Sequence, residues 1–176
     1  MRVTAVIGLI GAGLLLAGCG SGTVSGDADA QGTTAGEPVF SPCDDIPDEI
    51  VGSLGVDPAT EERDILGVKQ PGWNVCGWRG SEYSLSVFAT TRTLDEVRTN
   101  DRNEDVVPVE LDGRESFSYR ETTDTNRELC DVAMDAADGA VLVSVGFHVL
   151  TPPSNPGEPC EVAEGAARVV SQYVPK

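Results

Sequence analysis

The sequence has only one histidine, His148, and this scarcity narrows the chemistry that the chain can perform. A serine nucleophile normally needs a histidine base. His148 falls at the end of the predicted strand 141–149, on the face opposite Val145 and Phe147, which is typical of a surface or rim residue. The sequence also lacks the G-x-S-x-G motif, the H-E-x-x-H motif and a phosphate-binding loop. We therefore predict a protein that is not an enzyme and that uses no cofactor.

Metal-binding patterns are absent as well. No C-x-x-C pair accompanies the single histidine, which disfavours a zinc site. Residues 101–105, Asp-Arg-Asn-Glu-Asp, resemble the first half of a calcium loop. However, Val106 stands where the loop requires glycine, and the distant glutamate is missing. We interpret this segment as a solvated turn and predict no metal site.

The N-terminal apolar run, 3–16, is shorter than the roughly 20 residues that a membrane-spanning helix needs. Arg2 precedes the run and Leu-Ala-Gly-Cys ends it at 16–19, which is typical of a bacterial lipoprotein signal peptide. Small residues before Cys19 give a peptidase access to the backbone, and the Cys19 thiolate can take a diacylglycerol group. We predict a signal peptide at 1–18 and lipidation of Cys19. The alternative is a secretory signal with an incidental cysteine.

The predicted lipid anchor places the protein on the outer face of the cytoplasmic membrane. Residues 19–39 are rich in Gly, Ser, Thr and Ala and predict a flexible tether, because they contain too few apolar groups to order themselves. Residues 40–176 then form a single extracytoplasmic domain.

The formal net charge of −17 disfavours binding to nucleic acid and to anionic lipid head groups. Solubility outside the cell explains the charge, and an acidic docking face for a cationic partner is the alternative. We predict a monomer that contacts the membrane through its lipidated Cys19, with a possible envelope protein or wall component as a further partner.

Four cysteines remain after Cys19, and an even number in an oxidising compartment predicts two disulfides. Three pairings are possible. We favour Cys43 with Cys76 and Cys130 with Cys160, because each pair closes a loop of about 30 residues within one half of the domain.

Hydrophobic periodicity predicts a helix, two strands, a short helix, four strands and a final helix. The helices are expected at 46–54, 93–100 and 160–173, and the strands at 73–78, 83–90, 106–111, 114–120, 130–134 and 141–149. Residues 57–64 are expected to be a polar connection. The fold class is α+β: an antiparallel sheet with N- and C-terminal helices packed on one face, stapled by two disulfides.

Two tryptophans flank Cys76 and face opposite sides of one predicted strand. Trp78 shares a face with Cys76 and is expected to pack on the disulfide and the first helix. Trp73 faces the other way. It either lines an exposed aromatic groove or is half-buried under the loop near residues 70–72, and it is the only candidate for ligand binding.

Four acidic residues near the first helix could supply a carboxylate pair for glycoside chemistry: Asp44, Asp45, Asp48 and Glu49. Their position is better explained by capping of the helix and compensation of its dipole.

Several short motifs occur together in this chain: the lipobox Leu-Ala-Gly-Cys at 16–19, Ser-Pro-Cys at 41–43, Cys-Gly-Trp at 76–78, Gly-Arg at 113–114 and the late paired cysteines. In this combination the chain resembles actinobacterial lipoproteins of domain of unknown function 3558 (DUF3558). The resemblance covers most of the mature chain and implies a cell-envelope lipoprotein. It brings no established activity and no catalytic residues.

These observations together predict a non-enzymatic, lipid-anchored binding or accessory module of the cell envelope, with a sheet face or a groove as its contact surface. One alternative is an enzyme that acts on wall polymers through a carboxylate pair. Another is a carrier of an apolar ligand, which requires a closed apolar cavity.

Overall fold

The computed structural model describes residues 36–148 and 158–176. The strands are β1 (Val56–Arg63), β2 (Trp73–Gly80), β3 (Tyr83–Thr90), β4 (Asn103–Pro108), β5 (Ser116–Glu121), β6 (Leu129–Ala136) and β7 (Gly139–Phe147). The helices are α1 (Pro42–Asp45), α2 (Asp48–Ser53), α3 (Leu94–Arg98) and α4 (Pro159–Val170). No helix in these residues is long and apolar enough to cross a bilayer.

The seven strands form one antiparallel sheet in the order β1-β2-β3-β7-β6-β5-β4. The predicted fold class is confirmed, but the expectation of six strands was wrong. Residues 57–64 were expected to be a polar connection, and most of them belong to β1. This edge strand buries only its first residue, Val56, so its sequence carries no alternating apolar signal. Pro58 is tolerated there because an edge strand leaves part of its backbone unpaired.

The helix predicted at 46–54 corresponds to α2, which begins after Pro47 because the backbone of Pro47 is extended, and a separate short helix, α1, precedes it. Gly55 follows α2 with a φ of 79° and ends the helical segment. Helix α3 begins with a capping box, in which Thr93 and Glu96 exchange side-chain and backbone hydrogen bonds.

The main core lies between the sheet and the terminal helices. Ile46 and Val51 at the N-terminal end and Ala163 and Val170 of α4 pack against the same sheet face, and all four are buried. The sheet contributes Leu85, Val87, Val132, Val143 and Val145 to this cluster. These residues alternate with residues on the opposite face, where Phe88 of β3, Ala133 of β6 and Leu142 of β7 supply apolar side chains.

Both predicted disulfides are present. Cys43–Cys76 joins α1 to β2, and Cys130–Cys160 joins β6 to the first turn of α4, with Cα–Cα distances of 5.3 and 5.0 Å. The favoured pairing is therefore confirmed. Each bridge attaches a terminal helix to the sheet, which explains how short helices are held on this face.

Arg114 fixes the C-terminal tail to the sheet. It follows a tight turn in which Asp112 and Gly113 both have positive φ values, 43° and 74°. The Arg114 guanidinium donates hydrogen bonds to the carbonyl oxygens of Asp135 (2.6 Å), Val174 (2.8 Å) and Pro175 (3.1 Å). A planar side chain with several donors suits this task, because it satisfies carbonyl groups on two segments at once.

Candidate functional site

The candidate site lies on the sheet face opposite α1, α2 and α4. Helix α3 packs on one part of this face, where Leu94 and Val97 join a second apolar cluster with Phe117, Ala140 and Leu142. Because α3 has only five residues, it covers only part of the face, and no other helix of residues 36–148 and 158–176 covers the remainder. A groove of about 370 Å³ opens there.

Aromatic and apolar side chains from five strands line this groove. They are Trp73 of β2, Phe88 of β3, Tyr119 of β5, Leu129 of β6 and Leu142 of β7. The rings of Trp73 and Phe88 meet edge to face with centroids 6.4 Å apart, a favourable arrangement for aromatic pairs. The volume falls in the range of small-molecule sites, and the lining is mainly apolar, as such sites usually are.

Trp73 shows features of both of its sequence-based interpretations. It is partly exposed and lines the groove, with Gln70 and Pro71 of the preceding loop at the rim. The features that the sequence analysis missed are its partners, Phe88, Tyr119 and Leu142. The sequence did carry a signal for such residues, namely apolar side chains on the second face of strands whose first face is already apolar.

The β1–β2 loop forms an apolar rim beside Trp73. Ile65 lines the groove and is 50% exposed, while Leu66 at the tip is 94% exposed. Leu66 and Gly67 adopt φ values of 54° and 72° between the bridged residues Ile65 and Val68. A left-handed backbone costs a leucine roughly 1–2 kcal/mol. The loop therefore exposes apolar surface in a conformation that its sequence does not favour.

Lys69 holds the base of this loop. Its ammonium donates hydrogen bonds to the Trp73 carbonyl oxygen (2.6 Å) and to the Asn74 side chain, and it forms an ion pair with Glu37 at 3.0 Å. Asn74 in turn donates to the carbonyl oxygen of Pro38 (2.9 Å). The first described residues of the chain thus lie beside the base of the loop next to the groove.

Asp131 of β6 is the buried acid of the groove. It lines the cavity with only 8% of its surface exposed. Burial raises the pKa of the Asp131 carboxyl from 3.8 to about 6, a hydrogen bond from Ser144 opposes this rise, and the nearby carboxylates of Glu121 and Asp124 add to it. The groove therefore contains a group that changes charge close to neutral pH.

Two neighbours of Asp131 on β5 complete the polar part of the groove. Tyr119 lies directly opposite Asp131 in the β5–β6 register, and burial raises the pKa of its phenol. Tyr119 therefore remains uncharged at physiological pH. Glu121 is two residues further along the same face and is exposed. Such diagonal neighbours have Cα atoms about 7–8 Å apart, so two carboxyl groups meet at one end of the groove.

Trp78 lies on the opposite face, as predicted. It is 2% exposed and belongs to the main core together with Cys76 and Ile46. Its indole Nε1 is the only buried side-chain polar atom without a hydrogen-bond partner among the described residues. The role of Trp78 is packing.

His148 lies at the rim of the uncovered face. Its Nε2 is 3.0 Å from Ser84 Oγ, and its backbone N–H donates to the carbonyl oxygen of Glu82 (3.0 Å). The sequence analysis missed this serine, which β3 brings to His148 from 64 residues away. A hydrogen-bonded serine–histidine pair does not by itself make a nucleophilic site, because such a site also requires donors that stabilise an oxyanion.

The acidic residues of α1 have structural partners. Asp45 accepts a hydrogen bond from the Ser41 backbone N–H (2.7 Å), and Asp44 forms an ion pair with Arg63 at 2.8 Å. Hydrogen bonds from Arg63 and from the Ser41 hydroxyl lower the pKa of Asp44 to about 2. These contacts agree with the capping interpretation. Asp48 and Glu49 lie in the exposed first turn of α2.

Residues 101–105 form a turn and the start of β4, where Asp105 pairs with Arg127 at 2.8 Å. A different group of potential metal ligands comprises Cys43, Glu61 and Cys76. Both of these sulfurs are in a disulfide and have no thiolate to offer, so the group does not form a metal site.

The predicted lipidation site Cys19, the signal peptide and most of the tether lie outside the described residues. Most of the proline-rich segment 151–159 also lies outside them.

The short motifs that carry the family resemblance have structural roles. Ser41 and Pro42 begin α1 and position Cys43 for its disulfide. At 76–78 a bridged cysteine and a core tryptophan flank Gly77, where an added Cβ would lie 3.3 Å from Ser86 Oγ. At 113–114 the residues make the turn and the clamp on the C-terminal tail. None of these motifs lines the groove.

Comparison with known proteins agrees with this resemblance. No curated protein and no solved structure matches the chain. A family described as "Protein of unknown function" matches residues 14–173, which is most of the sequence. The chain therefore belongs to the DUF3558 family.

Proposed function

We propose that this protein is a non-enzymatic binding module of the cell envelope, held on the outer face of the cytoplasmic membrane by a lipid on Cys19. The observation that carries the proposal is the groove lined by Trp73, Phe88, Tyr119 and Leu142. It lies on the side of the sheet that the terminal helices leave free, so a ligand reaches it without opening the main core. The net charge of −17 argues against nucleic acid as that ligand.

The shape of the groove favours reversible binding over enclosed transport. The apolar side chains on this face are shared between α3 and the groove, and no helix closes the remaining space in residues 36–148 and 158–176. An apolar carrier normally encloses most of its ligand. An open groove that is rimmed by an exposed loop is better suited to a ligand that keeps one end in solvent or on a partner.

Truncation of Trp73 tests the groove. We expect Trp73→Ala to weaken binding of the neutral apolar dye N-phenylnaphthylamine about tenfold, because roughly 60 Å² of apolar contact is lost. The measurement is a fluorescence titration. Tyr173→Ala, an aromatic truncation on the α4 side of the sheet, is the matched control and should leave the affinity unchanged. Equal dye binding by the wild type and Trp73→Ala would exclude the groove.

The anchor requires a separate test. Protein isolated from its native membrane should carry diacylglycerol on Cys19, detected by mass spectrometry of the N-terminal peptide. Cys19→Ser should move most of the protein from the membrane fraction to the soluble fraction, because two acyl chains are needed for stable anchoring. An unmodified Cys19 in membrane-derived protein would contradict the proposal.

The acidic end of the groove supports a second function, cleavage of a wall polymer. Asp131, whose pKa is raised to about 6, and the exposed Glu121 line the same cavity. An acid with a raised pKa beside an ionised carboxylate is the pairing that glycoside hydrolysis uses. Release of soluble sugar fragments from purified wall polymer by the wild type, and not by Glu121→Gln, would favour this function over binding alone.

A further inference from the structure

We propose that the groove binds an amphiphile with an apolar body and a protonated amine, and that the amine lies against the carboxylate of Asp131. This inference rests on the proposed binding function and specifies the chemical class of its ligand. It follows from the charges that line the groove, the burial of Asp131 and the aromatic character of the walls.

The charges of the groove have one sign. Asp131 and Glu121 line it, and in the described part of the chain no lysine or arginine does. Lys69, which directly precedes Gln70 and Pro71 at the rim, is already paired with Glu37. A fatty acid or phosphate head group would therefore meet two carboxylates and no cation, whereas an amine would meet two attractive charges.

Asp131 is the specific partner for that amine. It is 8% exposed, and no ion pair among the described residues includes it. The groups that face it are the Tyr119 phenol, the Glu121 and Asp124 carboxylates and the Ser144 hydroxyl. None of them is a cation. A buried carboxylate without a cationic partner is unfavourable, so a ligand that supplies one replaces a missing interaction.

The remaining walls suit the body of such a ligand. Trp73, Phe88 and Tyr119 bring three aromatic rings to one cavity, and Ile65 adds an aliphatic wall. Aromatic faces attract apolar groups and cations alike. The carboxyl groups lie at the β5–β6 side and the Trp73–Phe88 pair at the β2–β3 side, which matches a molecule with one polar end.

The test compares three ligands of equal chain length: decylamine, decanol and decanoate. Binding to the full chain is measured by isothermal titration calorimetry at pH 7.5. We expect decylamine to bind about 10- to 100-fold more tightly than decanol, because a hydrogen bond to a charged group is stronger than a neutral one. Decanoate should bind more weakly than decanol.

Asp131→Asn should remove the preference for the amine, so that decylamine and decanol bind the variant with affinities within about twofold of each other. Asp135→Asn is the matched control: Asp135 is on the same strand and sheet face, carries the same charge and does not line the groove. It should retain the full preference. In the wild type, the preference should also fall as the pH is lowered below about 6, where Asp131 becomes protonated.

The possible outcomes separate this inference from the proposed function. If decanol binds in a Trp73-dependent manner and decylamine binds no better, the ligand class is wrong and the groove remains a binding site. An amine preference that survives in Asp131→Asn would also overturn the inference. If none of the three ligands binds, the groove is not a site for apolar ligands, and the proposed function fails with the inference.

Discussion

The double variant Cys130→Ala/Cys160→Ala is expected to lose about 3–4 kcal/mol of unfolding free energy, the effect predicted for opening a loop of about 30 residues. The bridge joins β6 to the first turn of α4, so its loss releases the helix end that begins the C-terminal layer. The second link at this point is the ion pair of Arg120 with Glu158. Glu158 is 70% exposed, and an exposed partner makes such a pair a weak replacement.

Denaturant unfolding monitored by circular dichroism measures the free energy of unfolding of Cys130→Ala/Cys160→Ala. Thermal unfolding of the same variant should show a decrease in Tm of roughly 10 °C. The variant Cys43→Ala/Cys76→Ala is the matched comparison, because its loop is of nearly equal length, with a sequence separation of 33 against 30. Similar losses from the two variants would agree with the chain-entropy explanation. A loss below about 1 kcal/mol in both would contradict it. Dye binding to the groove should persist in both variants, since neither bridge lies in the groove.

The residues that were predicted correctly from the sequence share one property: their signals are local. The short helix predicted at 93–100, the strand predicted at 141–149 and the final helix predicted at 160–173 are each recognised from a pattern of neighbouring residues. The disulfide pairing followed from short loop lengths. Each of these features depends on nearby residues, and local chemistry is what sequence patterns report.

The groove was only partly predictable because its parts are distant in the sequence. Trp73 was identified from strand parity, but its partner Phe88 belongs to the next strand and Leu142 to a strand 50 residues later. The sheet places β7 beside β3, and this order cannot be derived from periodicity. Asp131 was hidden for a similar reason: an acid between two buried residues of a strand is typical of an exposed face, and only the assembled sheet shows that this position is covered.

The edge strand β1 illustrates the opposite difficulty. Its residues Val-Asp-Pro-Ala-Thr-Glu-Glu-Arg are almost all polar or small, and its pairing with β2 is interrupted between Asp57 and Glu62. Backbone hydrogen bonds to a neighbouring strand, and not side-chain burial, make it a strand. A method that reads hydrophobic alternation has no signal there. The same edge leads into the exposed loop that borders the groove.

Asp131→Asn is expected to stabilise the protein by about 2–3 kcal/mol at pH 7.5 and to have almost no effect at pH 4. Burial raises the pKa of the folded Asp131 carboxyl to about 6, above its ordinary value of 3.8. Between these two values the unfolded chain has released the proton while the folded chain still holds it. Stability of the wild type therefore falls as the pH rises from about 4 to about 6, and the difference corresponds to about 3 kcal/mol in total.

Asparagine has nearly the same shape as aspartate and still accepts a hydrogen bond from Ser144, but it carries no charge to desolvate. The free energy of unfolding of Asp131→Asn should therefore lack this decline, which urea unfolding at a series of pH values would measure. Asp135→Asn, an exposed position on the same strand, should follow the wild-type pH dependence. Asp131→Asn that is less stable than the wild type at pH 7.5 would show that the carboxylate has a stabilising partner. The expected result, a more stable variant that no longer prefers an amine, would mean that the chain retains a destabilising acid because its ligand needs it.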